Sequence, residues 1–326
     1  MFETLASMAT EANPRAIVAI VGATASGKTG LSLDLAEALG GEIVNTDAMQ
    51  LYRGMDVGTA KLPPSQRRGI THHLLDRLDV TQTATVADFQ AWARDAIADI
   101  RDRGHAPVLV GGSALYTRAV LDRFEFPGTD ESVRRELEAE LEAIGPPALH
   151  RRLSALDADA AAKIGPDNGR RIVRALEVIA LTGRPYSASL PTPTYDDPRS
   201  LQIGVDIDRP TLDARIGTRV REMYDDGLVE EVERLLDEGL ERGQTARRAI
   251  GYREATQFLH GEISRDEALA RTQAATRRFA RRQDGWFRKD PRVVWVRFDD
   301  EGRVRKALDA VGVLDRSDLA EQAGAN

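Results

Sequence analysis

Between the apolar, β-branched run AIVAIVG and the leucine-spaced segment GLSLDLAEALG, the chain carries GATASGKT. No other feature restricts the fold so strongly. Gly22, Ala23, Thr24, Ala25, Ser26, Gly27, Lys28 and Thr29 match G-x-x-x-x-G-K-[ST], a loop whose backbone N–H groups curl around a phosphate at the start of a helix. Lys28 adds a mobile cation, and Thr29 a hydroxyl suited to Mg²⁺. A buried strand must lead into such a loop and a helix must leave it. The fold class is therefore α/β, a P-loop core with a parallel sheet flanked by helices.

The remaining pattern extends this rhythm and then interrupts it. EIVNTD reads as a second strand, TVADFQAWARDAIADIRDRG as an amphipathic helix closed by Gly104, and PVLVGGS as a third strand before the helix ALYTRAVLDR. From Asp122 to Ser200 only helical periodicity and turns are found. Strand and helix resume at LQIGVDID and TLDARIGTRVREMYDDG. Ser264 and Glu267 are spaced for a capping box, and RVVWVRFD is a last strand. The expected organisation is a P-loop catalytic core from 15–121 and 201–312, a helical insertion at 122–200, and flexible ends at 1–14 and 313–326. The tail DLAEQAGAN is expected to lack structure.

Hydrophobic residues make up 42% of the 326, enough for a sizeable core, and no apolar run approaches the ~18 residues that span a bilayer. The absence of cysteine excludes disulfides, thiolate zinc sites and thiol catalysis, and suits a cytoplasmic location. A net charge of −7 argues on average against a nucleic-acid partner. The bases nonetheless gather in GRRIVR, ARRAIGYR and TRRFARRQDGWFRK, and such clusters favour a local polyanion site.

A nucleotide hydrolase needs more than the loop. It commonly carries an aspartate at the end of a later strand, but PVLVGGS ends in Gly111-Gly112-Ser113. The available carboxylate is Asp47, which follows EIVNT at the sheet edge where open parallel sheets bind ligands. Asp47 could take a proton from a nucleophile, help hold a metal, or merely cap a turn. On these residues a small-molecule kinase and a group transferase are tied.

Taken together, GATASGKT, NTDAMQLYRGMDVGTAK, GITHHLLD, VLVGGSALY, RRIVRALEV, AIGYRE and TRRFARRQDGWFR resemble the bacterial tRNA dimethylallyltransferase family, also called tRNA isopentenyltransferases. The likeness runs from about Arg15 to Gly312, with the blocks in the family's order. It implies that the loop grips dimethylallyl diphosphate with Mg²⁺ as cofactor. The five-carbon group passes to the exocyclic amine of the adenosine 3′ of the anticodon, and the missing strand-end acid follows, because the diphosphate only departs. A kinase, or an adenylate isopentenyltransferase with a free nucleotide acceptor, is the alternative.

The same resemblance implies roles. Asp47 is the general base, Thr24 hydrogen-bonds the bridging oxygen of the donor, and Arg219 brings a further cation. Gly27, Lys28 and Thr29 hold diphosphate and metal. The partner is a tRNA anticodon stem-loop, with no membrane and a monomeric chain. Its contacts are expected at Asp47, Ala48, Met49 and Gln50, at Ser113 and Arg134, and along Arg248, Ala249, Ile250, Gly251, Tyr252 and Arg253. Arg170, Arg171 and Arg174 share one helix face by their spacing and resemble the family's anticodon-arm contact.

Some positions depart from the family pattern. Ala48 stands for a common serine, Ser113 for a threonine and Ala23 for a proline, and Asp284-Gly285 before Trp286 is unusual. The His72-His73 pair lacks a third ligand nearby in sequence and is read as structural or substrate-contacting.

Overall fold

The computed structural model describes residues 16–124, 126–189 and 193–324; the expected flexible end at 1–14 lies outside the described residues. The first strand, β1 (Ile17–Val21), is buried at every position, as a central parallel strand must be. After the loop come α1 (Lys28–Leu39) and β2 (Gly41–Asn45), and then an edge strand of only two residues, β3 (His72–His73). Further along lie α2 (Val86–Asp102), β4 (Ala106–Val110) and α3 (Ala114–Leu121). Thr85 and Asp88 close a capping box at the start of α2.

Four helices follow, α4 (Glu131–Ile144), α5 (Pro146–Leu156), α6 (Ala158–Lys163) and α7 (Gly169–Thr182). The sheet then resumes with β5 (Ser200–Asp206), α8 (Arg209–Asp225), α9 (Leu228–Asp237), α10 (Tyr252–Leu259), α11 (Arg265–Phe287), β6 (Val293–Arg297) and α12 (Arg303–Gly324). Ser264 caps α11 through the Glu267 N–H at 3.2 Å, but the Glu267 carboxylate pairs with Arg271 at 2.6 Å instead of reaching back. The tail expected to lack structure from Asp318 is helix through Gly324.

All six strands run parallel in the order β3-β2-β4-β1-β5-β6. Ile20 and Asn45 both sit in register with Val110, so β1, β2 and β4 end at one level. The loop after β1, Asp47 after β2 and Gly111-Gly112 after β4 therefore open at the same carboxyl edge, where such sheets take their ligands. Val18, Ile20, Leu31, Leu35, Ile43, Val108 and Ile203 form the core that fixes this edge.

The chain divides into two compact units, 1–121 with 197–326, and 122–196. The second segment of the larger unit begins at Asp197, ahead of the expected 201. The smaller unit has its own apolar core, including Leu137, Leu149, Leu153, Ile172 and Leu176.

Candidate active site

The phosphate loop is strained and open. Ala25 takes φ +64°, a left-handed conformation costly for a residue with a Cβ. Helix α1 begins with no side-chain cap and no acid in its first turn, so its own first turn leaves the leading N–H groups and positive dipole end uncompensated. The Ser26 hydroxyl is buried and, among the described residues, lacks a hydrogen-bond partner. An anion would satisfy this end of the helix.

Thr24, Lys28, Thr29, Asp47, Gln50 and Arg219 line one cleft. Lys28 donates to the Ala23 carbonyl at 2.7 Å. Burial brings its ammonium down to about 7, the Arg219 guanidinium pushes the same way, and Asp47 opposes them. Burial pushes the Asp47 carboxyl up from the usual range, against the Met49 N–H and the Lys28 charge. Both side chains face the cleft yet are surrounded by protein, so each holds its charge with difficulty. Arg219 is half-buried and among the described residues has no ion pair; Glu222 affects it only at a distance, and burial lowers its basicity.

Asp47 is held firmly. Its N–H donates to Asn45 Oδ1 at 2.9 Å, its Oδ1 accepts the Met49 N–H at 2.9 Å, and the Asn45 amide donates to its carbonyl. The turn-capping role and the catalytic role are compatible, because the carboxylate that caps the turn also lines the cleft. Ala48 and Met49 continue into a short 3₁₀ turn, Met49–Leu51, which carries Gln50 into the cleft wall. Gln50 donates to the Thr59 carbonyl at 3.1 Å, and among the described residues its amide oxygen takes no hydrogen bond.

Gln283 is a cleft residue that sequence reasoning passed over. From α11 it accepts the Thr24 N–H at 2.8 Å and donates to the Gly112 carbonyl at 2.9 Å. A Cβ at Gly112 would lie 2.1 Å from its amide nitrogen, so this approach requires glycine. A neutral amide thus ties the phosphate loop to the end of β4, which carries no acid. His72 lines the same cleft, with Nδ1 2.9 Å from the Ile70 carbonyl, while His73 pairs with Glu42 at 2.6 Å. Among the described residues no group of three metal-binding His, Cys, Asp or Glu side chains occurs.

The positions expected to face RNA separate into two kinds. Arg170, Arg171, Arg248 and Arg253 are exposed. Ser113 caps the start of α3 through the Tyr116 N–H. Ala249, Gly251 and Tyr252 are buried, and Tyr252 packs inward, so its side chain cannot touch a macromolecule. Ile250 is half-buried.

In the smaller unit, Arg134 and Arg174 both grip Glu177, a fully enclosed carboxylate, at 2.7 and 2.8 Å. Burial opposes the charge of Glu177, but the two guanidinium hydrogen bonds prevail and hold its carboxyl below the usual range. Arg174 also reaches the Pro127 and Gly128 carbonyls. These two arginines therefore do structural work. Arg277, Arg278, Arg281 and Arg282, from the basic cluster TRRFARRQDGWFRK, line a groove along α11.

The chain matches the IPP transferase family over residues 50–290. It is 70% identical over 304 residues to a tRNA dimethylallyltransferase of Nocardioides sp. (strain ATCC BAA-499 / JS614), covering 93% of this chain and 98% of that one. It is 53% identical to a tRNA dimethylallyltransferase of Streptomyces coelicolor, covering 93% of each. Among solved structures, a full-length tRNA isopentenylpyrophosphate transferase from Bacillus halodurans is similar at 38% identity and TM-score 0.70, over 95% of this chain and 99% of that one. A eukaryotic dimethylallyltransferase acting on tRNA is similar at 25% identity and TM-score 0.77, over 94% and 79%.

Proposed function

The chain belongs to the IPP transferase family of tRNA dimethylallyltransferases, and from that membership we propose how its cleft works. The enzyme moves a dimethylallyl group from dimethylallyl diphosphate to the exocyclic amine of the adenosine on the 3′ side of the anticodon. The observation that carries this reading is a phosphate loop facing a single held carboxylate, with an amide and glycines where a hydrolase would carry its strand-end acid.

In this reading the adenine nitrogen attacks the allylic carbon, the N–C bond forms, and the C–O bond to diphosphate breaks with its electron pair leaving on oxygen. Asp47 accepts the amine proton on its carboxylate, and burial makes it a stronger base than a surface carboxylate. Thr24, on the cleft wall, donates its hydroxyl to the departing bridging oxygen. Lys28, Arg219 and the uncapped start of α1 receive the growing negative charge, in the way preorganised donors stabilise a leaving anion.

The Thr29 hydroxyl is exposed at the loop and suits Mg²⁺, which binds through few protein ligands together with phosphate oxygens. When bound, that ion would neutralise charge on the diphosphate. An adenosine stacked in a loop cannot reach a recessed carboxylate, so it must be flipped out, at a cost of a few kcal/mol. Gln50 offers its amide oxygen to the base edge. Arg170, Arg171, Arg248 and Arg253 contact the phosphates of the anticodon arm, and the chain acts as a cytoplasmic monomer.

Mass spectrometry of nucleosides after incubation with dimethylallyl diphosphate tests the acceptor. An anticodon stem-loop should gain the five-carbon group, and a free adenine nucleotide should not. Modification of the free nucleotide alone would assign the chain to the adenylate-directed chemistry. Transfer of label from ATP to a small acceptor would make it a kinase.

A further inference from the structure

One buried carboxylate near the cleft has no part in that chemistry. Glu231, on α9, is 7% exposed. It accepts the backbone N–H groups of Asp56 at 3.0 Å, Val57 at 2.8 Å and Gly58 at 3.3 Å. The Tyr252 hydroxyl donates to the same carboxylate at 2.5 Å. Three successive amides and a phenol thus satisfy a charge that would otherwise be costly to bury. The tyrosine ring lies so close that a Cβ at Gly58 would meet it at 2.4 Å. Only glycine fits there.

What these bonds grip is the segment that leads into a wall of the cleft. The gripped segment runs into Thr59, whose hydroxyl folds back onto the Met55 carbonyl at 2.7 Å and whose own carbonyl accepts the Gln50 amide. Gln50 and Thr59 line the cleft with Asp47. Lys61 ties the segment from its other end, to the Tyr52 carbonyl at 2.9 Å and to Asp56 and Asp76 at 2.6 Å each. Tyr252 belongs to the stretch Arg248–Arg253, in which Arg248 and Arg253 are exposed.

We infer that Glu231 is a positioning residue for the acceptor base, and that Tyr252 is the link by which the RNA-facing stretch Arg248–Arg253 sets Gln50 against that base. The inference rests on the prenyl-transfer reading above. Neither side chain touches substrate. Each acts through the 56–59 segment, with Glu231 on α9 and Tyr252 at the start of α10 giving it two fixed supports.

The test is a double-mutant cycle on single-turnover prenylation of an anticodon stem-loop at saturating dimethylallyl diphosphate. Tyr252→Phe keeps the ring over Gly58 and removes only the donor. It is expected to slow turnover roughly ten- to a hundredfold, the scale of a misplaced reactant, while the donor's affinity stays within about twofold. In a Gln50→Ala background the same substitution should add nothing, because residues acting in one chain of contacts are not additive.

A wild-type rate in Tyr252→Phe, or an equal loss in both backgrounds, would overturn the inference; the second result would mark the node as a support for the fold at large. If Tyr252→Phe does not fold, Glu231→Gln carries the same cycle with the same two readings. A wild-type chain that transfers no prenyl group would remove the proposed function as well, and that control separates the two failures.

Discussion

Lys28, in the proposed diphosphate cradle, has its basicity brought down to about 7 by burial and by Arg219. Above that pH the empty cleft holds a largely neutral amine, and anion binding must restore its proton. Binding of an unreactive allylic diphosphate at pH 8 should take up close to one proton, measured by calorimetry in buffers of different ionisation enthalpy. Lys28→Gln should remove that uptake. Above a pH of about 7, affinity should weaken by an amount approaching tenfold per pH unit, because supplying one proton to the amine costs about 1.4 kcal/mol more at each step.

Asp47 works in the opposite sense. Its carboxyl is raised by burial, so the rate should fall as pH drops through a value above the ordinary carboxylate range. Asp47→Ala should bind tRNA normally and lose roughly 10²–10⁴ in single-turnover rate, the usual scale for a general base. Near-normal turnover would remove Asp47 from the chemistry.

At the scale of one helix, α7 shows how spacing can mislead. Arg170, Arg171 and Arg174 do lie along one face, but Arg174 turns toward Glu177, three residues on, and shares the carboxylate that Arg134 holds. Periodicity reports which residues are neighbours; it does not report that a buried carboxylate waits among them. Arg174→Ala should lower the stability of the 122–196 unit by roughly 1.5–3 kcal/mol, the range for hydrogen bonds to charged groups, read from its urea midpoint.

The Glu177 contribution has a definite sign in pH. Its folded carboxyl lies below the unfolded value, so its stabilisation is complete above the unfolded pKa of about 4.3 and is lost as pH falls through the folded one. Arg170 and Arg171, by contrast, are exposed and available to an anion. Reversing both charges should weaken tRNA binding and flatten its salt dependence, by roughly 0.7–0.9 in slope for each phosphate that is no longer neutralised. An unchanged slope would make this face a merely solvated one.

Across the whole molecule, an acidic chain with net charge −7 gathers its arginines into local clusters. Much of this was legible in the sequence. The loop motif, the strand–helix alternation and the run without strands each have a local signature. β3 did not, because two residues cannot show alternation and exist as a strand only through pairing with β2. Gln283 reaches Thr24 across 259 positions, and Glu231 reaches Asp56–Gly58 across more than 170; contacts at that separation leave no periodic trace. The enclosed ring of Tyr252 was likewise invisible in RAIGYR, since its burial depends on Gly58 and Glu231 far from it in the chain.

Prenyl transfer as proposed for this cleft requires the donor's diphosphate to leave intact while carbon passes to nitrogen. The direct measurement is the ratio of diphosphate released to adenosine prenylated by the full chain acting on tRNA. One diphosphate per modified base, with no orthophosphate, is the predicted result. Orthophosphate release, or a phosphorylated acceptor beside unmodified tRNA, would contradict it.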